Sequence, residues 1–172
     1  MSDVGFSAER TINTVDDMPD ASRPGPPGWF EEKQLPWSWA ERQLVRARNY
    51  WIATAGADGI AHTRPVWGVW LDGALVLSVG GPRMTADLEQ RGGNVTVHLE
   101  SADRVVILEG PATSFSATAA FVEVYNAKYD WDFTLETLGL FEFRPQVGYG
   151  WISDPDDRGE TFQNSGTRWS AF

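Results

Sequence analysis

The chain has 172 residues, 42% of them apolar and 22% charged, with no cysteine and a formal net charge of −10. That is one domain's worth of chain, able to bury a sizeable core; the missing cysteine excludes disulfides, zinc–thiolate sites and thiol nucleophiles. The acidic balance disfavours nucleic acid, and two histidines, His62 and His98, do not make a His-rich metal site.

No apolar run reaches the roughly 18 residues of a membrane helix. The first five residues lack the basic-then-apolar layout of a secretory signal, so a cytoplasmic setting is expected. Twelve of the fourteen basic residues are arginine, which suits bidentate anion contacts but also fits a coding bias. Nine tryptophans fit core and dimer packing, or an aromatic pocket for a flat ligand.

Residues 1–30 are rich in Pro and Gly with little apolar periodicity. They read as an extended, partly disordered arm, leaving residues 31–172 as the folded domain. From Pro36 to Arg48, Trp37, Ala40, Leu44 and Ala47 recur at helical spacing, with Pro36 suited to the first turn.

At Asn49 the period changes to two. Tyr50 to Ala55 is a strand, Ala57-Asp58-Gly59 a hairpin turn, Ala61 to Trp70 a second strand, Asp72-Gly73 another turn, and Ala74 to Val79 a third strand. Pro65 inside the second strand predicts an edge, a bulge or a backbone facing a ligand.

Pro82 to Arg91 reads as a short helix. Strands follow at Asn94 to Glu100 and Arg104 to Phe115, then a helix from Ala117 to Tyr129. A further helical turn is expected over Phe133 to Leu138, strands over Leu140 to Arg144 and Val147 to Ile152, then an acidic loop and a tail from Phe162. Short strands joined by Asp-Gly turns, then a helix, then more strands point to a mainly β fold, an antiparallel barrel with helices at its ends.

The order of several short motifs resembles the pyridoxamine 5′-phosphate oxidase-like superfamily, in particular its actinobacterial flavin/deazaflavin oxidoreductase branch. Leu44 to Thr54 runs into Asp58-Gly59, His62 and Pro65-Val66-Trp67-Gly68-Val69-Trp70. Val95 to Ser101, Glu109-Gly110, Lys128-Tyr129, Phe141 to Pro145 and Thr167-Arg168-Trp169 follow. The likeness covers roughly residues 35 to 172.

It implies a mainly β fold, a split β-barrel with flanking helices, and a homodimer; charge and hydropathy already argue against a nucleic-acid or membrane partner. It also implies coenzyme F-420 or FMN in a groove between subunits, against the second and third strands. Of the two, the Trp-rich strand and the Thr-Arg-Trp ending favour F-420. Carried onto this chain, the cofactor contacts fall at Arg64, Pro65, Val66, Trp67, Ser78, Arg83, Met84, Lys128, Arg168 and Trp169. No residue is assigned a catalytic acid or base, and no metal is expected.

The phosphate-contact segment of that family resembles Ser-Arg-Lys-x-Arg-Asn-Leu. Here it reads Pro82-Arg83-Met84-Thr85-Ala86-Asp87-Leu88. Two cations are absent and one anion has arrived, a change worth ~3–6 kcal/mol of phosphate affinity if each charged hydrogen bond contributes ~1.5–3 kcal/mol. Three outcomes stay open: cations from elsewhere, such as Arg64, Arg83, Lys128 or Arg168; a different planar ligand, such as a tetrapyrrole, on a non-catalytic binder; or no cofactor.

Single residues also read two ways. Trp67 and Trp70, three apart, point to different faces, one into the barrel and one to the groove or a dimer contact. Tyr125, Lys128 and Tyr129 form either a pocket wall or helix-to-sheet packing. The Arg168-Trp169 tail caps a partner's groove or packs on its own barrel. His62 and His98 read as structural.

Overall fold

The computed structural model describes residues 20–22, 35–56, 59–90, 93–170 and 172. Among these the strands are β1 (Asp20–Ser22), β2 (Asn49–Ala55), β3 (Ala61–Leu71), β4 (Ala74–Ser78), β5 (Asn94–His98), β6 (Arg104–Ser114), β7 (Leu140–Phe143), β8 (Val147–Ile152) and β9 (Thr167–Ser170). The helices are α1 (Trp37–Arg46), α2 (Pro82–Gln90), α3 (Ala119–Tyr129) and α4 (Glu160–Ser165).

Every pairing is antiparallel, in the order β1-β9-β8-β6-β5-β2-β3-β4-β7, and β7 returns to β6. This closes six strands, β2 to β7, into a barrel. The long β6 makes the closure possible. One of its edges serves β8 from Arg104 to Glu109 and then β7 from Ala112 to Ser114. At the changeover the chain between β7 and β8 crosses Gly110 so closely that a Cβ there would overlap the Arg144 carbonyl.

The period-two pattern sorts the side chains. Tyr50 and Ile52 of β2, Val66 and Trp70 of β3, Leu75 and Leu77 of β4, Val97 of β5 and Leu108 of β6 fill the interior. Trp37, Ala40 and Leu44 of α1 and Met84 and Leu88 of α2 join the same cluster. Helix α3 lies outside, covering Val69 and Val76 with Phe121, Tyr125 and Tyr129. Thr118 caps its start through the Phe121 amide, and Asp130 ends it in a left-handed conformation.

The hairpin at Asp72-Gly73 has both residues at positive φ, 50° and 72°, as its sequence predicts. Of the other expected turn, Gly59 has φ 78°, while residues 57 and 58 lie outside the described residues. Pro65 also meets its expectation. β4 pairs with β3 only from Trp67 onward, so Ala61 to Val66 have β2 on one side and, among the described residues, no strand on the other.

Two readings need correction. Phe133 to Leu138 holds a single turn closed by Thr137 N–H to the Thr134 carbonyl, not a helix; Asn126 ties the segment down by accepting from the Phe133 amide and donating to its carbonyl. The tail forms α4 and β9, neither of which its local pattern announces. Of the arm expected over residues 1–30, Asp20–Ser22 pairs with β9; the rest lies outside the described residues.

Candidate functional site

Where β4 stops and β3 continues with β2 on one edge, the outer face of the barrel opens into a groove of about 520 Å³. Its walls carry Trp51 of β2, Pro65 and Trp67 of β3, Ser78 of β4 and Tyr125 of α3. Trp51 sits directly opposite Pro65 in the β2–β3 ladder, and Trp67 opposite Ser78 in the β3–β4 ladder. The result is a surface with three aromatic side chains and the Ser78 and Tyr125 hydroxyls, suited to a planar ring.

Trp67 is 37% exposed, whereas Trp70 is 7% exposed. The two therefore divide as their spacing predicts. Trp70 donates its indole N–H to Glu41 at 3.2 Å from within the core. Trp67 stacks on Tyr129 with centroids 4.7 Å apart and planes 8° apart, and meets Trp131 nearly at right angles at 5.6 Å. Tyr125 stacks on Phe133 at 4.3 Å. Burial raises the pKa of the Tyr125 phenol, partly offset by its hydrogen bond with Ser78.

Six of the ten expected contact residues line this groove: Arg64, Pro65, Val66, Trp67, Ser78 and Met84. Arg83, Lys128, Arg168 and Trp169 do not. Arg83 is exposed at the start of α2 and pairs with His62 Nε2 at 2.7 Å. Lys128 Nζ donates to the Gly68 carbonyl at 2.8 Å and to the Tyr50 hydroxyl at 3.1 Å.

The C-terminal residues pack on their own barrel. Arg168 stands opposite Tyr149 of β8. Trp169 is fully buried, edge-on to Trp37 at 5.6 Å, with its N–H on the Leu35 carbonyl at 3.1 Å. Gly150 makes room for that indole, since a Cβ there would run into the ring.

Asn49, Trp51, Gly80, Glu100 and Tyr125 complete the lining. Trp51 had a readable signal, because it shares the outward parity of β2 and faces Pro65 once the hairpin register is set. Glu100 had none, since it reaches the groove only through the position of β5.

The groove suits a ring better than it suits a phosphate. Among the described residues Arg64 is the one cation in its lining, and Glu100 the one carboxylate. Met84 is 1% exposed and belongs to the core, so that position supplies packing where the family pattern has a lysine. Asp87 Oδ2 is buried with no hydrogen-bond partner among the described residues.

No protein-family model and no curated protein sequence matches the chain. Solved structures do. A conserved hypothetical protein from Mycobacterium tuberculosis superposes with TM-score 0.58 at 20% identity, over 70% of this chain and 90% of that one. The FAD-binding protein from Mycobacterium smegmatis gives 0.50 at 16%, over 67% and 93%. A heme-binding protein from the same organism gives 0.53 at 17%, over 76% and 62%.

The chain is a split barrel of the pyridoxamine-phosphate-oxidase-like fold. Such a barrel presents its ladder faces to solvent wherever no helix covers them, and here that uncovered stretch is the groove. At these identities the likeness speaks for the fold, while activity has to be argued from the site. Among the described residues no helix is long and apolar enough to cross a membrane, and no cluster of His, Asp and Glu could hold a metal ion.

Proposed function

We propose that the chain works as a cytoplasmic homodimer that holds a deazaflavin, coenzyme F-420, in this groove and acts as an oxidoreductase on a small organic substrate, with FMN as the alternative cofactor. One observation carries the reading: the groove of about 520 Å³ walled by Trp51, Pro65 and Trp67 where β4 stops pairing with β3. When bound, such a cofactor supplies the hydride chemistry. The protein's share is to stack the ring against Trp67, offer the Ser78 and Tyr125 hydroxyls to its polar edge, and hold an anionic substituent at Arg64.

Support for the dimer comes from the same outer face. By ladder register Pro65, Trp51, His98, Ile107 and Tyr149 form one row across five strands. Trp51 and His98 stack at 6.2 Å. Next to the row, Ala53, Ala55, Ala61 and Thr96 border a hollow of about 460 Å³. Large side chains beside small ones on one surface suit a second copy related by a two-fold axis. A second subunit there would also close the groove and exclude water.

Calorimetric titration with F-420 and with FMN tests the reading. Micromolar or tighter binding of either, with dimer mass in light scattering, is the expected result. No binding of either at roughly 100-fold excess removes it.

A second reading, a non-catalytic binder of a planar ligand such as a tetrapyrrole, is favoured by the thin phosphate cradle at Met84 and Asp87. Ala86→Arg separates the two. Met84→Lys would force a charge into the core, but Ala86 is half-buried and can carry a guanidinium outward. If FMN or F-420 affinity rises by an order of magnitude or more, as restoring one or two charged hydrogen bonds would give, the natural site is a weakened flavin site. If tetrapyrrole binds and neither flavin does, the second reading holds.

A further inference from the structure

β2 begins at Asn49, which faces Trp67 in β3. The next pair the ladder would make is Arg48 with Gly68, but β2 has ended there, so on that edge Gly68, whose other side pairs with Leu77 of β4, has no strand partner among the described residues. Side chains take that place, Tyr129 first. The Tyr129 hydroxyl accepts from the Gly68 amide at 2.9 Å and lies 2.5 Å from the Arg48 carbonyl and 2.8 Å from the Gly68 carbonyl.

A phenol has one proton to give, so it satisfies one of those carbonyls and leaves the other needing a donor. Lys128 provides it, at 2.8 Å from the Gly68 oxygen. The same ammonium donates to the Tyr50 hydroxyl, which donates on to the Leu44 carbonyl at 2.7 Å. It also lies 4.8 Å and 5.2 Å from the centroids of the Tyr50 and Tyr129 rings. Burial pushes the Tyr129 phenol up to about 12, so it stays a donor at neutral pH.

The ring of Tyr129 is also the surface on which Trp67 stacks. Backbone and side chain of the groove wall are therefore held by the same two adjacent residues at the end of α3.

We propose that Lys128 and Tyr129 are positioning residues, which replace the missing β2 backbone beside Gly68 and thereby fix the Trp67 indole as the wall of the groove. Neither touches the ligand; both act through Gly68 and Trp67. Their effect on affinity rests on the groove being the ligand site, but the positioning itself can be read without any ligand.

The test uses the full-length, ligand-free protein. The near-UV circular dichroism of Trp67 is isolated by subtracting the Trp67→Phe spectrum, and protection of the Gly68 amide is read by hydrogen exchange. Tyr129→Phe keeps the stacking ring but removes the hydroxyl. It is expected to cut Gly68 protection on the order of tenfold, as one lost hydrogen bond gives, and to weaken the Trp67 signal. Lys128→Met is expected to weaken the Trp67 signal without lowering the melting temperature, and Lys128→Arg to restore it, a pattern that a merely structural role would not produce.

Unchanged Trp67 and Gly68 signals in Tyr129→Phe overturn the proposal. Should that variant fail to fold, unchanged signals in Lys128→Met overturn it equally. Flavin titration of the wild type is scored separately, so a groove that takes no flavin sinks the proposed function and leaves this result standing.

Discussion

The two halves of β3 have the same backbone conformation and opposite fates. From Gly68 to Trp70 every residue is buried, between β4 on one edge and α3 on the outer face. From Ala61 to Trp67 exposed residues alternate with partly covered ones and the inward-facing, buried Val66, and among the described residues β2 is the only strand neighbour as far as Val66. One strand thus serves as core and as candidate site, and what divides it is the short length of β4 and the point where α3 ends. The candidate binding surface here is strand that the barrel leaves uncovered.

The comparison can be broken most directly at its buried end. Trp70→Ala removes a core indole and leaves Glu41 without its N–H donor, which should cost ~3–5 kcal/mol by urea denaturation. A loss under about 1 kcal/mol would mean the two halves do not differ in kind.

At the open end, Arg64→Ala should barely change stability but weaken F-420 or FMN by ~1.5–3 kcal/mol, tenfold or more in Kd, if this one groove cation holds the anionic group. Equal Kd values in calorimetry would move the anion contact elsewhere. Trp67→Ala should weaken the same ligands by ~0.5–1.5 kcal/mol, the worth of a lost aromatic stack.

The smallest effect concerns the boundary itself. Burial, then the neighbouring Arg48, lowers the Lys128 pKa to about 8, while an unfolded lysine titrates near ~10.4. Between those values the unfolded chain binds the extra proton, so this group makes stability rise with pH from about 8 upward. Lys128→Met should remove that rise, measured as the difference between the two pH–stability curves.

The uneven legibility of this chain has the same origin. The hairpins of β2 to β4 could be read because alternation and Asp-Gly turns are local, and Pro65 announced the unpaired stretch. Arg64, Pro65, Val66, Trp67 and Ser78 followed from that hairpin plus a family likeness. Lys128 and Trp169 did not follow. A lysine beside a tyrosine on a helix looks the same whether it faces a groove or a broken ladder, and Trp169 enters the core only because Gly148 and Gly150 of β8 clear a path for it.

By itself, then, the sequence determined the strands and hairpins from β2 to β8 and an antiparallel barrel with flanking helices, since side-chain period and turn chemistry act over a few residues; the split-barrel class came with the family likeness. The tertiary structure alone decided which cations face the groove, that Met84 belongs to the core, and that Lys128 and Tyr129 finish a ladder begun eighty residues earlier. Those outcomes depend on where each strand stops and which distant backbone is left unpaired, and no short stretch of chain contains that information.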